Sequence, residues 1–158
     1  MTGSPRICFD GEGERSVNDF GYRMMNRLHR AILAVSGGRL GSTIGSMPVV
    51  ELHTIGRTSG QRRSAMLTVP VHDGGCYVLV ASKGGDPRHP SWYLNLVANP
   101  EVELRVGGRT IPMHARTATP AERADLWPRI TRAYRGYAGY QRKTTREIPL
   151  VVCEPRSA

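Results

Sequence analysis

The chain has 158 residues, of which 39% are hydrophobic, 22% charged and 6% aromatic. That is the size and composition of one globular domain, too short for two and too apolar for a disordered segment. The 22 basic and 13 acidic residues give a net charge of +9, spread along the chain, which points to an anionic partner without choosing among a polyanionic ligand, a membrane surface and nucleic acid. No apolar run approaches the roughly 20 residues that span a bilayer, and the polar start, with Asp10, Glu12 and Glu14, does not read as a secretory leader. Three distant cysteines, Cys8, Cys76 and Cys153, suggest neither a disulfide framework nor a zinc site. A reducing cytoplasm is the expected location.

Residues 1–15 read as a loose, Gly-rich tail, and residues 16–158 as one domain. From Ser16 to Val35 the apolar positions Val17, Phe20, Met24, Leu28, Ala31 and Val35 follow steps of three and four, the period of an amphipathic helix. Ser16 or Asn18 is placed to cap it, and Gly37-Gly38 to end it. Arg23, Arg27 and Arg30 share its polar side, either as a solvated face or as a contact for an anionic membrane surface.

The texture then turns to strands. Val49–Ile55 is strand-like and runs into a turn at Gly56–Gln61. Arg63–His72 alternates loosely up to Asp73-Gly74-Gly75, a hairpin signal before the apolar strand Cys76–Ser82. A loop follows from Lys83 to Ser91, then a short helix over Trp92–Ala98 stopped by Asn99-Pro100. Glu101–Val106 and Arg109–Arg116 flank Gly107-Gly108 as another hairpin. Thr119-Pro120-Ala121-Glu122 is a capping box with proline at the first helical position, so a helix is predicted to about Tyr134. The stretch from Tyr137 to Arg146 has no clear pattern, and Ile148–Cys153 is a last strand. Hairpin-linked strands with helices at the ends predict a mainly β fold with flanking helices, a small antiparallel barrel.

Four constellations carry chemistry. The Gly56–Gly60 turn gathers Arg57, Thr58 and Ser59, with Gln61, Arg62 and Arg63 just after. It offers amides, hydroxyls and guanidinium groups to one anion, yet equally reads as a solvated hairpin tip. In Ala81-Ser82-Lys83-Gly84-Gly85-Asp86-Pro87-Arg88-His89-Pro90 a strand ends in a hydroxyl and an ammonium, with two glycines next. Lys83 is one of two lysines in an Arg-rich chain, which favours a need for a compact cation, against the reading of a plain surface loop. Trp92 and Asn95 lie on the short helix, where Trp92 is placed to wall a flat ligand. Tyr134, Tyr137 and Tyr140, spaced by three among Gly136 and Gly139, would make one helical stripe, either core or a wall for something flat and partly polar. No metal-ligand or nucleophile motif stands out, so any chemistry belongs to a bound cofactor. Few aromatics and no reader motif argue against nucleic acid as the partner.

Together these motifs resemble the deazaflavin-dependent nitroreductase family of actinobacteria, whose members use coenzyme F420, an 8-hydroxy-5-deazaflavin with a phosphate and an oligoglutamate tail. The likeness runs from about Val49 to Pro155. It is carried by Thr54-Ile55-Gly56-Arg57-Thr58-Ser59-Gly60-Gln61, by Ala81-Ser82-Lys83-Gly84-Gly85, by His89-Pro90-Ser91-Trp92-Tyr93-Leu94-Asn95-Leu96-Val97-Ala98-Asn99-Pro100, and by the ending Ile148–Pro155. It implies a split β-barrel related to flavin-nucleotide-binding oxidoreductases. It further implies that Arg57, Thr58, Ser59, Gln61 and Arg63 hold the phosphate and acidic tail. Ala81, Ser82, Lys83 and Gly84 would line the deazaflavin, Trp92 and Asn95 would close the groove, and Tyr134, Tyr137 and Tyr140 would wall the acceptor pocket. Thr58 stands where the family often has a second basic residue, and Arg62 where it commonly has proline, departures that bear on the preferred tail length.

The implied activity is hydride transfer from reduced F420 to a quinone-like, nitro or activated-alkene acceptor, with Ser82, a tyrosine hydroxyl or water supplying the proton. The alternative is a non-catalytic carrier of F420, a flavin or a lipid. A menaquinone acceptor would give the helix at 16–35 a peripheral place at the inner face of the cell membrane. The oligomeric state is open.

Overall fold

The computed structural model describes residues 43–44 and 47–156. The expected tail and first helix lie outside the described residues. The described residues form eight strands: β1 (Thr43–Ile44), β2 (Met47–Ile55), β3 (Arg62–Thr68), β4 (Val71–Asp73), β5 (Cys76–Val80), β6 (Glu101–Val106), β7 (Arg109–Thr117) and β8 (Leu150–Pro155). Three α-helices accompany them: α1 (Ser91–Ala98), α2 (Pro120–Ala133) and α3 (Gly136–Arg142). Every pairing is antiparallel. The order β3-β2-β6-β7-β8-β5-β4, with β1 added to the start of β2, makes a mainly β half-barrel of the split-barrel kind.

The hairpins form where the glycines put them. Gly74-Gly75 and Gly107-Gly108 all have positive φ, between +54° and +83°, the conformation that two-residue turns between twisted strands require. In these hairpins Asp73 pairs with Cys76, and Val106 with Arg109.

Period-two alternation then divides the core. Along β5 and β8, Leu79, Val151 and Cys153 face an inner cluster with Val50, Leu52, Leu104, Met113, Tyr93 and Leu96. Val78, Val80, Leu150 and Val152 face a second cluster with Ile130, Tyr137 and Ile148, under α2 and α3. Burial on both faces is why these two strands read as continuous apolar runs instead of alternating ones. Helix α1 lies against β2, β3 and β7, with Tyr93, Asn95 and Leu96 inward.

The capping box is formed as predicted. The Thr119 hydroxyl accepts from the Glu122 amide (3.2 Å), and the Glu122 carboxylate accepts from the Thr119 amide (2.8 Å). The same carboxylate takes Arg116 in a two-pronged pair at 2.7 Å, and Arg116 also reaches Glu154 at 2.9 Å. This network ties the start of α2 to β7 and β8.

Two expected elements differ. The run Arg63–His72 is not one strand: it breaks between β3 and β4, where the Val69 amide turns to the Pro48 carbonyl (2.9 Å) and Pro70 has no N–H to continue a ladder. The tyrosines do not sit on one helix, because α2 ends with Tyr134 in an extended conformation and the chain starts again at Gly136.

Candidate active site

The β2–β3 turn is fastened from within. The Gly56 amide bonds the Gln61 carbonyl and the Gly60 amide bonds the Gly56 carbonyl, both at 2.8 Å. Ser59 Oγ accepts from the Gln61 amide and from Arg63, each at 3.3 Å. Arg57, Thr58, Ser59, Gln61 and Arg63 are all exposed, so their groups face solvent on one tip. Arg62 points elsewhere, in an ion pair with Glu103.

Asn95 anchors this tip to the barrel. Its side-chain amide donates to Thr54 Oγ1 (3.2 Å), while its carbonyl oxygen accepts from the Arg57 amide (3.2 Å) and guanidinium (3.4 Å). Asn95 is thus a buried brace under the turn. Trp92 is half-buried, edge-on to Tyr93 at 6.3 Å between centroids, and packs on the inner core.

At the end of β5 the chain makes a tight 3₁₀ turn over Lys83–Gly85. Ser82 is right-handed (φ −72°, ψ −38°) and Lys83 left-handed (φ +46°), followed by Gly84 at φ +65°. Lys83 is the one non-glycine residue with positive φ among the described residues, a conformation that costs energy for any side chain. A right-handed residue followed by a left-handed one turns successive amides into one concavity, a backbone nest for an anion.

Lys83 Nζ stands 3.9 Å from Asp86 Oδ2, both side chains nearly buried. Burial works to raise the Asp86 pKa, but hydrogen bonds from the Arg88 amide (2.8 Å) and guanidinium, with the charges of Lys83 and Arg88, outweigh it and hold the carboxyl below its ordinary value. The Ser82 hydroxyl makes no hydrogen bond among the described residues, whereas the Ser82 carbonyl accepts from the Gly85 amide (2.9 Å) and from Arg146 (2.9 Å).

The tyrosines regroup in space although their helix is broken. The three ring centroids lie 5.4, 6.1 and 6.4 Å apart. Tyr137 is buried and its hydroxyl meets Thr68 Oγ1 at 2.8 Å; burial pushes its pKa up, so it stays protonated at neutral pH. Tyr134 is 43% exposed, and its ring folds over Gly136, where a Cβ would lie 2.2 Å from the ring. Tyr140 is half-buried, with the Lys143 ammonium 5.6 Å from its ring centroid.

Helix α3 also touches the Lys83–Gly85 turn. A Cβ on Gly85 would sit 2.7 Å from the Tyr140 carbonyl oxygen, so the anion loop is seated directly on the backbone of the tyrosine helix. Two shallow concavities, about 450 and 340 Å³, lie on the surface of α2 and α3 among Arg129, Arg132, Arg135 and Arg142, and neither includes a predicted site residue. Pro128 and Thr131 also line the first, and Pro70, Val71 and His72 the second.

The chain matches the model of the F420H2-dependent quinone reductase family over residues 24–155. It belongs to that family. A protein of Mycobacterium tuberculosis named F420H2-dependent quinone reductase is 43% identical over 134 residues, 82% of this chain and 89% of its own. A second protein of that organism, named a putative F420H2-dependent quinone reductase, is 36% identical over 70% of this chain and 92% of its own. Among solved structures, one described as an F420-H2 dependent reductase is 44% identical, covers 68% of this chain and 94% of its own, with a TM-score of 0.62. Another, described as a domain-swapped dimer, is 37% identical over 87% of this chain and 98% of its own, with a TM-score of 0.64.

The residues present suit the family's cofactor. The Ser82–Lys83 nest with its ammonium could hold a phosphate, and the exposed Arg57 and Arg63 could hold an acidic tail. Burial pushes the Cys153 thiol up to about 12, so at neutral pH it is protonated. Arg146 and His89 brace the loop; His89 belongs to a motif already quoted, whereas Arg146 lies in an aperiodic stretch that singles out no residue.

Proposed function

We propose that the protein reduces a quinone by hydride transfer from reduced F420. The observation that carries this is the seat of Gly85 on the Tyr140 backbone, which makes the anion loop and the aromatic cluster neighbours across one packing contact. F420 supplies a hydride donor that reacts as a two-electron reductant; the quinone takes that hydride and one proton to become the hydroquinone.

The protein's part is to hold, orient and shield. Lys83, Arg57 and Arg63 bind the phosphate and acidic tail; Ser59 and Gln61 shape the turn, and Thr58 sits at its tip. Ala81, Ser82 and Gly84 line the ring side of the loop. Tyr134 and Tyr140 offer the acceptor aromatic surface and hydroxyl protons, as does Ser82 Oγ. Tyr137 is committed to Thr68 and acts as the pillar of the wall. Nitro compounds and activated alkenes fit the same wall as secondary acceptors.

Titration of the protein with F420, then mixing of the reduced complex with menadione, tests the reading. Return of the oxidised deazaflavin absorbance is expected. Binding without reoxidation by any quinone favours a carrier and rejects the reductase. For a membrane-dissolved quinone, residues 16–35 supply the contact with anionic lipid. Changing Arg23, Arg27 and Arg30 to Glu should then abolish flotation with anionic liposomes, and unchanged flotation removes that contact.

A further inference from the structure

Resting on that cofactor reading, we propose that Arg146 is the positioning residue that builds the anion nest at the end of β5. All three of its guanidinium nitrogens are engaged there. Nε donates to the Asp86 carbonyl (2.9 Å), Nη1 and Nη2 to the Ala81 carbonyl (both 3.2 Å), and Nη2 also to the Ser82 carbonyl (2.9 Å). Nη1 also meets His89 Nδ1 at 3.2 Å.

A trans peptide carries its N–H opposite its C=O. Holding the Ala81 and Ser82 carbonyls on Arg146 therefore aims the Ser82 and Lys83 amides the other way, into the concavity. The Ser82 and Gly84 amides have no acceptor among the described residues, which leaves them for a ligand. The bonds also offset the left-handed backbone of Lys83, at φ +46°.

The surroundings keep Arg146 in place. Burial, then the charge of Arg146, lowers the His89 pKa, so the imidazole is neutral and Nδ1 accepts. The His89 ring lies 5.0 Å from that of Tyr93, centroid to centroid. On the other side the Gln141 side chain donates to the Arg146 carbonyl (2.8 Å) and accepts from the Ile148 amide (2.9 Å), fixing the segment to α3. A lysine in place of Arg146 keeps the charge but has no fork to hold two carbonyls.

Two probes separate this role from a general structural one: F420 stripped of its glutamates, which keeps the phosphate, and the phosphate-free deazaflavin. Arg146→Lys and Arg146→Met, checked for folding by melting curves, are expected to lose affinity for the phosphate-bearing probe by about tenfold or more. The phosphate-free probe should lose about twofold or less, since tenfold is the scale of one well-placed charged contact. Equal losses for both probes, or none, overturn the proposal.

A wild type that binds neither probe nor F420 overturns the cofactor reading, and this inference with it. Should a variant not fold, the wild-type amide resonances decide. Those of Ser82 and Gly84 should shift with the phosphate-bearing probe and stay still with the other. The same shift with both, or no shift, refutes the nest.

Discussion

Removing the Asn95 side chain tests the brace beneath the β2–β3 turn. Asn95→Ala deletes three hydrogen bonds, but they are not equal. Thr54 is 2% exposed, so its hydroxyl loses its partner where water does not replace it, at a cost of about 1–3 kcal/mol. The two bonds to Arg57 lie at the surface end, where water substitutes, and add a few tenths. Together with the small void, the loss should be about 2–3 kcal/mol, a melting temperature lower by roughly 4–10 °C for a chain of this size. Urea unfolding measures the first quantity and calorimetry the second. Thr54→Val added to Asn95→Ala removes the orphaned hydroxyl and should recover about 1 kcal/mol. A loss below about 0.5 kcal/mol, or a double variant no more stable than Asn95→Ala, would refute the buried brace. The same variants should bind F420 more weakly, because the Arg57 amide is no longer fixed.

The other expectations concern the loop, the wall and the cap. Lys83→Ala should raise the F420 dissociation constant about tenfold while the single-turnover rate at saturating cofactor changes much less; an unchanged dissociation constant would remove Lys83 from the cofactor site. Gly85→Ala forces a side chain against the Tyr140 carbonyl at a φ of +85° and should cost about 2 kcal/mol or more in urea melts. Tyr137→Phe should cost about 1 kcal/mol of stability and leave quinone turnover far short of the ~100-fold loss that follows removal of a general acid; a loss of that size in stopped-flow would make Tyr137 the donor. The Glu122 pKa is lowered from 4.5 to about 2, chiefly by the hydrogen bonds from Arg116. Its folded pKa lies below its unfolded one, so its contribution is complete above about pH 5 and is lost as pH falls from 4.5 toward 2. The stability gap between wild type and Glu122→Gln should be flat near neutrality and close on acidification, and a gap independent of pH would contradict the pairing.

The strands and caps were legible in the residues because each rests on a local rule. Gly74-Gly75 and Gly107-Gly108 mark turns that only left-handed backbone closes, and Thr119 with Glu122 writes a helix start. The half-barrel follows from those hairpins, and the family motifs carried the cofactor. What escaped depends on contacts between distant segments. The break at Val69-Pro70 is set by the Pro48 carbonyl, 21 positions earlier by number. The tyrosine spacing of three fits one helix, yet the Tyr134 ring closing over Gly136 starts a second one. The bracing role of Asn95 rests on its bonds to Thr54 and Arg57, 41 and 38 positions away. Arg146 is one arginine in a chain full of them. Its place follows only from the β5–β8 pairing: with Val80 opposite Leu150, the chain ahead of Ile148 runs past the loop that follows Ser82.

The seat of Gly85 on the Tyr140 carbonyl has a thermodynamic corollary. If the loop and the tyrosine cluster hold cofactor and quinone as proposed, a ligand that settles one would settle the other, because no side chain lies between them to absorb the movement. Linkage makes such influence mutual: the factor by which F420 tightens quinone binding is the factor by which quinone tightens F420. Reduced and oxidised cofactor, differing in their fit to the loop, would then be sorted by the occupant of the other site. Exchange of spent cofactor would then become a step that the acceptor itself governs.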